Sequence, residues 1–83
     1  MGVTLADVKA ALNIVGNYQD AALQIWFDTT KSYLVEGGVK EEHITKGIMA
    51  RGVSDLWNYG AGDGKFSEVF FQMASQLSYK NEE

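Results

Sequence analysis

Glycine placement constrains the fold of this chain more than any other feature, because the sequence has nine glycines and no proline. Interruptions of secondary structure therefore fall to glycine. Glycines at 16, at 37–38 and at 60, 62 and 64 divide the 83 residues into four segments. Each segment repeats apolar residues at helical spacing, and none alternates convincingly with period two. The pattern predicts an all-α fold, a small bundle of about four helices in a single domain over residues 1–83.

The helix boundaries follow from capping residues as well as from periodicity. Thr4 and Ser67 are predicted N-caps, because a hydroxyl accepts a hydrogen bond from a free N–H of the first turn. Glu41 and Glu42 suit the start of the third helix, where the helix dipole favours anions. Gly37–Gly38 is predicted to end the second helix as a C-cap. We expect helices at about 4–13, 19–35, 40–58 and 67–79, with a glycine-rich loop at 60–65.

The third segment has a broad apolar face, which predicts contact with other helices on more than one side. Its apolar residues are Ile44, Ile48, Met49, Val53, Leu56 and Trp57. Gly47 and Gly52 interrupt it, each at a cost of about 1 kcal/mol relative to alanine in a helix interior. We expect these glycines to permit the close approach of another backbone. Phe66 and Phe71 occupy the two positions of a hydrophobic staple around the Ser67 cap.

Composition excludes several classes of function. The net charge is −4, and seven basic residues are scattered among eleven acids, so no basic stripe exists to bind nucleic acid. The chain has no cysteine, and His43 is its single histidine, which leaves no partners for a zinc site or a catalytic triad. No apolar run reaches the 18 or so residues of a membrane span, and the N-terminus lacks a signal-peptide pattern. We therefore expect no enzyme activity, no metal, no cofactor and no membrane contact.

The Gly60–Lys65 segment superficially resembles a phosphate-binding loop. A Walker A loop needs Ser or Thr directly after its lysine and a strand before it. Here Phe66 follows Lys65, and the preceding segment is predicted to be helical. Asp63 is the one carboxylate in the segment, too few for a calcium loop. The interpretation we favour is an interhelical loop, and His43 is likewise expected to be a solvated residue of a first helical turn.

Large aromatic side chains are numerous for so small a core: two Trp, four Tyr and four Phe. Phe70 and Phe71 are adjacent on a helix and point about 100° apart, so both cannot face the core equally. Aromatic residues that reach the surface are typical of protein interfaces. The predicted interface residues are Trp57, Tyr59, Phe66, Phe70, Phe71 and Tyr79.

Three stretches resemble one known family. Residues Thr4-Leu5-Ala6-Asp7-Val8-Lys9, followed by Leu12, resemble the opening of small head–tail connector (adaptor) proteins of long-tailed bacteriophages. The run from Arg51 to Gly60, then Gly62 to Ser67, then Gln76-Leu77, resembles the second half of such proteins. The run from Arg51 to Ser67 is the more specific match, because helical periodicity alone does not require those residue identities.

The resemblance implies a virion structural protein without enzymatic activity or cofactor. It implies a homo-oligomeric, dodecameric ring under the portal vertex, through which DNA passes without specific binding. Expected partners are the portal protein, further copies of the chain, and the next adaptor or a tail-completion protein, with a monomer when free left open. The expected location is the virion, and the host cytoplasm during assembly. The alternative is a small, non-enzymatic regulatory module of phage or bacterial origin that binds one protein target.

Overall fold

The computed structural model describes residues 2–63 and 66–80, with backbone alone for 58–63, 79 and 80. Its α-helices are α1 (Leu5–Ala11), α2 (Asp20–Glu36), α3 (Lys46–Asp63) and α4 (Glu68–Lys80), and a short 3₁₀ turn (Glu41–His43) precedes α3. The all-α prediction is confirmed: within these described ranges there are four helices and no strand. The predicted second and fourth helices match α2 and α4 to within one residue at each end.

The first helix begins as predicted and ends earlier than predicted. Thr4 and Asp7 form a reciprocal capping box, with the Asp7 N–H donating to Thr4 Oγ1 at 3.3 Å and the Thr4 N–H donating to Asp7 Oδ2 at 2.9 Å. The helix stops at Ala11 because Asn13 adopts a left-handed conformation, φ 59°. Asparagine tolerates this conformation better than most residues with a side chain. Gly16, which we expected to limit the helix, lies further along the connecting loop.

The glycine pair ends α2 in a Schellman motif, as the sequence predicts. Gly38 is left-handed, φ 98°, and its N–H donates to the Val35 carbonyl at 3.1 Å. The Val39 N–H donates to the Leu34 carbonyl at 2.9 Å, and the side chains of both residues are buried. The motif turns the chain sharply toward α3.

Both predicted ends of the third helix are wrong. Residues 40–45 form the 3₁₀ turn and an extended link, and α3 starts at Lys46. Thr45 is the N-cap of α3, because its Oγ1 accepts a hydrogen bond from the Ile48 N–H at 3.3 Å. Glu41 and Glu42 precede the first residue of α3 by four residues or more and so do not lie in its first turn. At the other end, α3 continues through Gly60 to Asp63, where we predicted a loop. Glycine lowers helix propensity but keeps its N–H, so it does not stop a helix as proline does.

The helix α3 lies at the centre of the fold and packs against α1, α2 and α4, which confirms contact on more than one side. The buried core draws on every helix and on the links between them. Its buried members are Val3, Val8, Leu23, Phe27, Leu34, Val39, Ile44, Ile48, Met49, Val53 and Phe70.

The two glycines of α3 have different environments. A Cβ built on Gly52 would lie 2.8 Å from Cε1 of Phe70 and closer still to Cγ2 of Thr30, so no side chain fits there. The atoms that approach Gly52 closely belong to side chains of α2 and α4, so the predicted approach of another backbone is wrong there. Gly47 is exposed, and a Cβ there would meet Thr45 Oγ1 alone among described atoms, at 3.9 Å, so the prediction is wrong for Gly47.

Candidate protein-docking surface

A buried carboxylate joins α4 to α3. Asp55 is 2 % exposed, and its Oδ2 accepts from the Ser67 N–H at 2.9 Å and from the Ser67 hydroxyl at 2.8 Å. Arg51 Nε lies 3.3 Å from Asp55 Oδ1 and donates to Ser67 Oγ at 3.2 Å. Ser67 in turn accepts from the Phe70 N–H at 3.2 Å, which confirms it as the N-cap of α4. The Asp55 carboxylate therefore fixes where α4 begins.

Four aromatic rings, from α2, from the link before the Ser67 cap and from α4, form a cluster beside this joint. Tyr33 lies 5.0 Å from Phe66 and 5.9 Å from Phe71 between ring centroids. Phe66 stacks on Phe70 at 4.1 Å and meets Phe71 edge-on at 6.3 Å. The Phe66–Phe71 contact across the Ser67 cap confirms the predicted staple. We call these four residues the aromatic cluster.

The predicted interface residues do not all reach the surface. Phe70 is fully buried against Gly52 in the core, so it is corrected from interface to core. Phe66 is half-buried, whereas Phe71 is 42 % and Trp57 is 37 % exposed. The side chains of Tyr59 and Tyr79 lie outside the described residues.

Tyr33 was missed by the sequence reasoning, although it is 42 % exposed at the centre of the aromatic cluster. A signal was available: Tyr33 follows Trp26 by seven residues, which places both on the same side of α2. Trp26 forms a second aromatic contact there, with Trp57 of α3, at 6.5 Å between centroids and an interplanar angle of 22°. One side of α2 thus carries aromatic contacts with both α3 and α4.

A groove opens between the end of α2 and α4, next to the aromatic cluster. It has a volume of about 350 Å³. Buried Leu34 and Val39 contribute to its lining, and Tyr33 and Phe71 are its aromatic members. The lining residues that the structure describes are Tyr33, Leu34, Gly37, Val39, Phe71, Ala74, Ser75 and Ser78, a mixture of apolar and small polar residues with no acidic or basic side chain among them.

The loop between α1 and α2 is a second exposed apolar feature. Val15 is 83 % and Tyr18 is 84 % exposed. Lys9 holds this loop: its Nζ donates to the Gly16 carbonyl at 2.6 Å and pairs with Asp20 Oδ1 at 2.7 Å. Exposed apolar side chains on a restrained loop are available to a partner without much ordering of the backbone.

The basic side chains for which contacts are given are paired with acids. Besides Lys9 with Asp20 and Arg51 with Asp55, Lys31 lies 3.7 Å from Glu41. Lys46 lies 3.5 Å from Asp7 and so ties α3 to α1. The Thr4 N–H, with help from Lys46, holds the pKa of Asp7 below its ordinary value despite the opposing effect of desolvation. These basic side chains therefore form ion pairs within the chain and do not form a surface for binding phosphate.

The His, Asp and Glu side chains that the structure describes do not come together as a metal site. His43 lies in the 3₁₀ turn rather than in a helix, half-buried, with Nε2 4.0 Å from Glu42 Oε1. Among the residues whose side chains are described, no group of three or more His, Asp or Glu side chains is placed to hold a metal ion. In the same part of the chain, no helix combines the length and apolar character needed to cross a bilayer.

Comparisons with protein-family models, with curated proteins and with solved structures find no match to this chain.

Proposed function

We propose that the chain is a bacteriophage virion structural protein, a head–tail connector that docks as a ring under the portal vertex and joins the filled head to the tail. The observation that carries the proposal is the exposed aromatic surface of α2 and α4, at Tyr33 and Phe71, on a small acidic helical domain. Aromatic side chains are enriched in the buried centres of protein interfaces. The resemblance of residues 4–12 and 51–67 to phage connectors directs the choice of partner.

Residues of the 51–67 run, which carries the resemblance, do not form the docking surface themselves but position the helix that carries Phe71. Arg51, Asp55 and Ser67 hold the start of α4 on α3, and Gly52 makes room for the Phe70 ring. These contacts set the orientation of α4 and hence of Phe71. A chain that kept this run would keep the joint that orients α4.

The charge distribution supports a protein that DNA passes without binding. The net charge is −4, and Lys9, Lys31, Lys46 and Arg51 each lie near a carboxylate. Phosphate binding requires unpaired cations arranged along a surface, because release of counterions supplies most of the affinity. The connector acts, in this proposal, through protein contacts alone and without catalysis, metal or cofactor.

The test is co-sedimentation of the purified chain with tailless, DNA-filled capsids of the phage whose genome encodes it. The wild-type chain should bind these capsids and should not bind capsids that lack the portal. Phe71→Ala should weaken binding at least tenfold, since hot-spot aromatics cost about 2 kcal/mol or more when truncated.

Val69→Ala is the matched control, because Val69 is 50 % exposed on α4 but lies two residues, or about 200°, from Phe71 around the helix. It should bind as the wild type does. Equal binding by both variants would remove Phe71 from the interface. Absence of binding by the wild-type chain, together with capture of a soluble regulatory partner, would favour the alternative function of a small regulatory module.

A further inference from the structure

Two uncharged surfaces lie at opposite ends of α2 on this acidic chain. The loop of residues 12–19, Leu-Asn-Ile-Val-Gly-Asn-Tyr-Gln, precedes the helix and has no acidic residue, lysine, arginine or histidine. At the other end of the helix, the described residues that line the α2/α4 groove likewise include no acidic residue, lysine, arginine or histidine. Elsewhere the described surface carries most of the acids that give the net charge of −4.

The loop projects as a restrained protrusion. Val15 and Tyr18 are both more than four-fifths exposed. Left-handed conformations at Asn13 and Gly16 shape the backbone, and Lys9 fastens the Gly16 carbonyl to α1 and α2. An exposed tyrosine on a loop of fixed shape loses little conformational freedom when a partner covers it.

The groove has the complementary shape and chemistry. Leu34 and Val39 are buried and form apolar lining, while Tyr33 and Phe71 add aromatic edges. Ser75 and Ser78 provide hydroxyls that can bond to a phenol oxygen or to a loop backbone. Its 350 Å³ gives room for one tyrosine side chain with an aliphatic neighbour.

The protrusion cannot reach the groove of its own chain. The 17 residues of α2 separate the two, a distance of about 25 Å at the helical rise of 1.5 Å per residue. Contact between them must therefore join different molecules. Acidic copies repel one another, so contact between copies is favoured where both surfaces are uncharged.

We propose that the loop of one copy, led by Val15 and Tyr18, docks in the α2/α4 groove of the next copy. The contact is heterologous, since each molecule offers a different surface at each end, and such contacts close into rings or continue as filaments. The inference rests on the proposed function in one respect: it supplies the contact that a connector ring requires. In the ring, Phe71 lies at the edge of the groove that the neighbour's loop fills, so Phe71→Ala tests the portal contact and the copy-to-copy contact together, and cysteine trapping tests the second alone.

Disulfide trapping tests this directly, because the natural chain has no cysteine. Asn17→Cys places a thiol beside Tyr18 on the exposed loop, and Ser75→Cys places one in the groove while leaving its rings intact. An equimolar mixture of the two variants, oxidised mildly at high protein concentration, should give a mixed dimer at several times the yield of a control mixture. The control pairs Asn17→Cys with Val69→Cys, which is exposed on a different side of α4.

Two further variants sharpen the result. The double variant Asn17→Cys, Ser75→Cys should form a ladder of disulfide-linked oligomers, because the two sites of one chain are too far apart to bond. Adding Tyr18→Ser to the loop variant should reduce the mixed dimer to the control yield. All of these sites are exposed, so thermal unfolding followed by circular dichroism should confirm an unchanged fold.

Equal yields from the test and control mixtures would overturn the head-to-tail contact. Because the trapping uses no capsid, it is independent of the connector proposal. Capsid binding without preferential trapping would leave the connector role and refute this mode of assembly. Preferential trapping without capsid binding would leave the self-association and refute the connector role.

Discussion

Gly52→Ala should destabilise the protein even though alanine is the better helix former. Gly52 lies within α3 where α2 and α4 approach it most closely. The added methyl group would overlap Thr30 Cγ2 and would lie 2.8 Å from Phe70 Cε1 and 2.9 Å from Thr30 Oγ1. Thr30 and Phe70 are both fully buried, so neither side chain can move aside into solvent.

The magnitude follows from two opposing effects. Replacing glycine by alanine inside a helix gains about 1 kcal/mol. Overpacking a core costs about 1–3 kcal/mol, and contacts from two different helices favour the upper part of that range. The free energy of unfolding should therefore fall by about 1–2 kcal/mol. In a domain of this size, each 1 kcal/mol lowers Tm by about 4–8 °C.

Urea and thermal unfolding would measure the change, with Gly47→Ala as a matched control on the same helix. Gly47 is exposed, and a Cβ there meets no described atom closer than 3.9 Å, so the control should gain about 0.5 kcal/mol or be neutral. The double variant Gly52→Ala, Thr30→Ala should lose less free energy of unfolding than the sum of the losses in the two single variants. The reason is that Thr30→Ala removes Cγ2 and Oγ1, two of the atoms that the new methyl group would overlap.

Gly52→Ala with a stability equal to or above that of the wild type would refute the reasoning. It would mean that α2 and α4 do not hold Thr30 and Phe70 against α3 as the structure shows. A loss of similar size in Gly47→Ala would also count against it, since a change that adds no close contact would then cost as much as one that overlaps the core.

Three other perturbations test the joint, the loop and the capping box. Asp55→Ala should lower the free energy of unfolding by about 2 kcal/mol in urea, because it leaves the part-buried N–H and hydroxyl of Ser67 without their acceptor. Lys9→Met should lower the free energy of unfolding by about 1–2 kcal/mol, because the hydrogen bonds of Lys9 to Gly16 and Asp20 are lost. It should also speed amide hydrogen exchange in residues 13–19, since the loop is then less restrained. The lowered pKa of Asp7 contributes stability that is complete above its unfolded pKa of about 4 and is lost as pH falls through the lower folded pKa. When the free energy of unfolding is measured as the pH is lowered from about 5, it should fall less in Asp7→Asn than in the wild type. An equal fall in both proteins would contradict the role given to Asp7.

The sequence predicted the features that depend on local chemistry. Thr4 and Ser67 are N-caps, and Gly38 ends α2, because capping requires residues with particular hydrogen-bonding groups or backbone freedom. The start of α3 was predicted wrongly because the prediction relied on the two acids at 41–42 and did not consider the hydroxyl of Thr45. Acids favour a helix start by charge, but the hydroxyl satisfies a specific N–H.

The surface was harder to predict, since it depends on which helix covers which side chain. Phe70 and Phe71 are neighbours in sequence, and periodicity cannot decide which ring lies in the core until α4 is placed on α3. That placement depends on the buried Asp55–Ser67 bonds, which join residues twelve apart in sequence. The run from Arg51 to Ser67 carries the resemblance to phage connectors, and several of its residues also have a structural role. Arg51, Asp55 and Ser67 form the joint between α3 and α4, and Gly52 makes room for Phe70.

Quantitative mass spectrometry of purified, tailed virions tests the central claim most directly. The connector account predicts that this chain is present at one copy per portal subunit and stays with the head–tail junction when tails are sheared from heads. Its absence from finished virions, while it is abundant in the infected cell, would contradict the account.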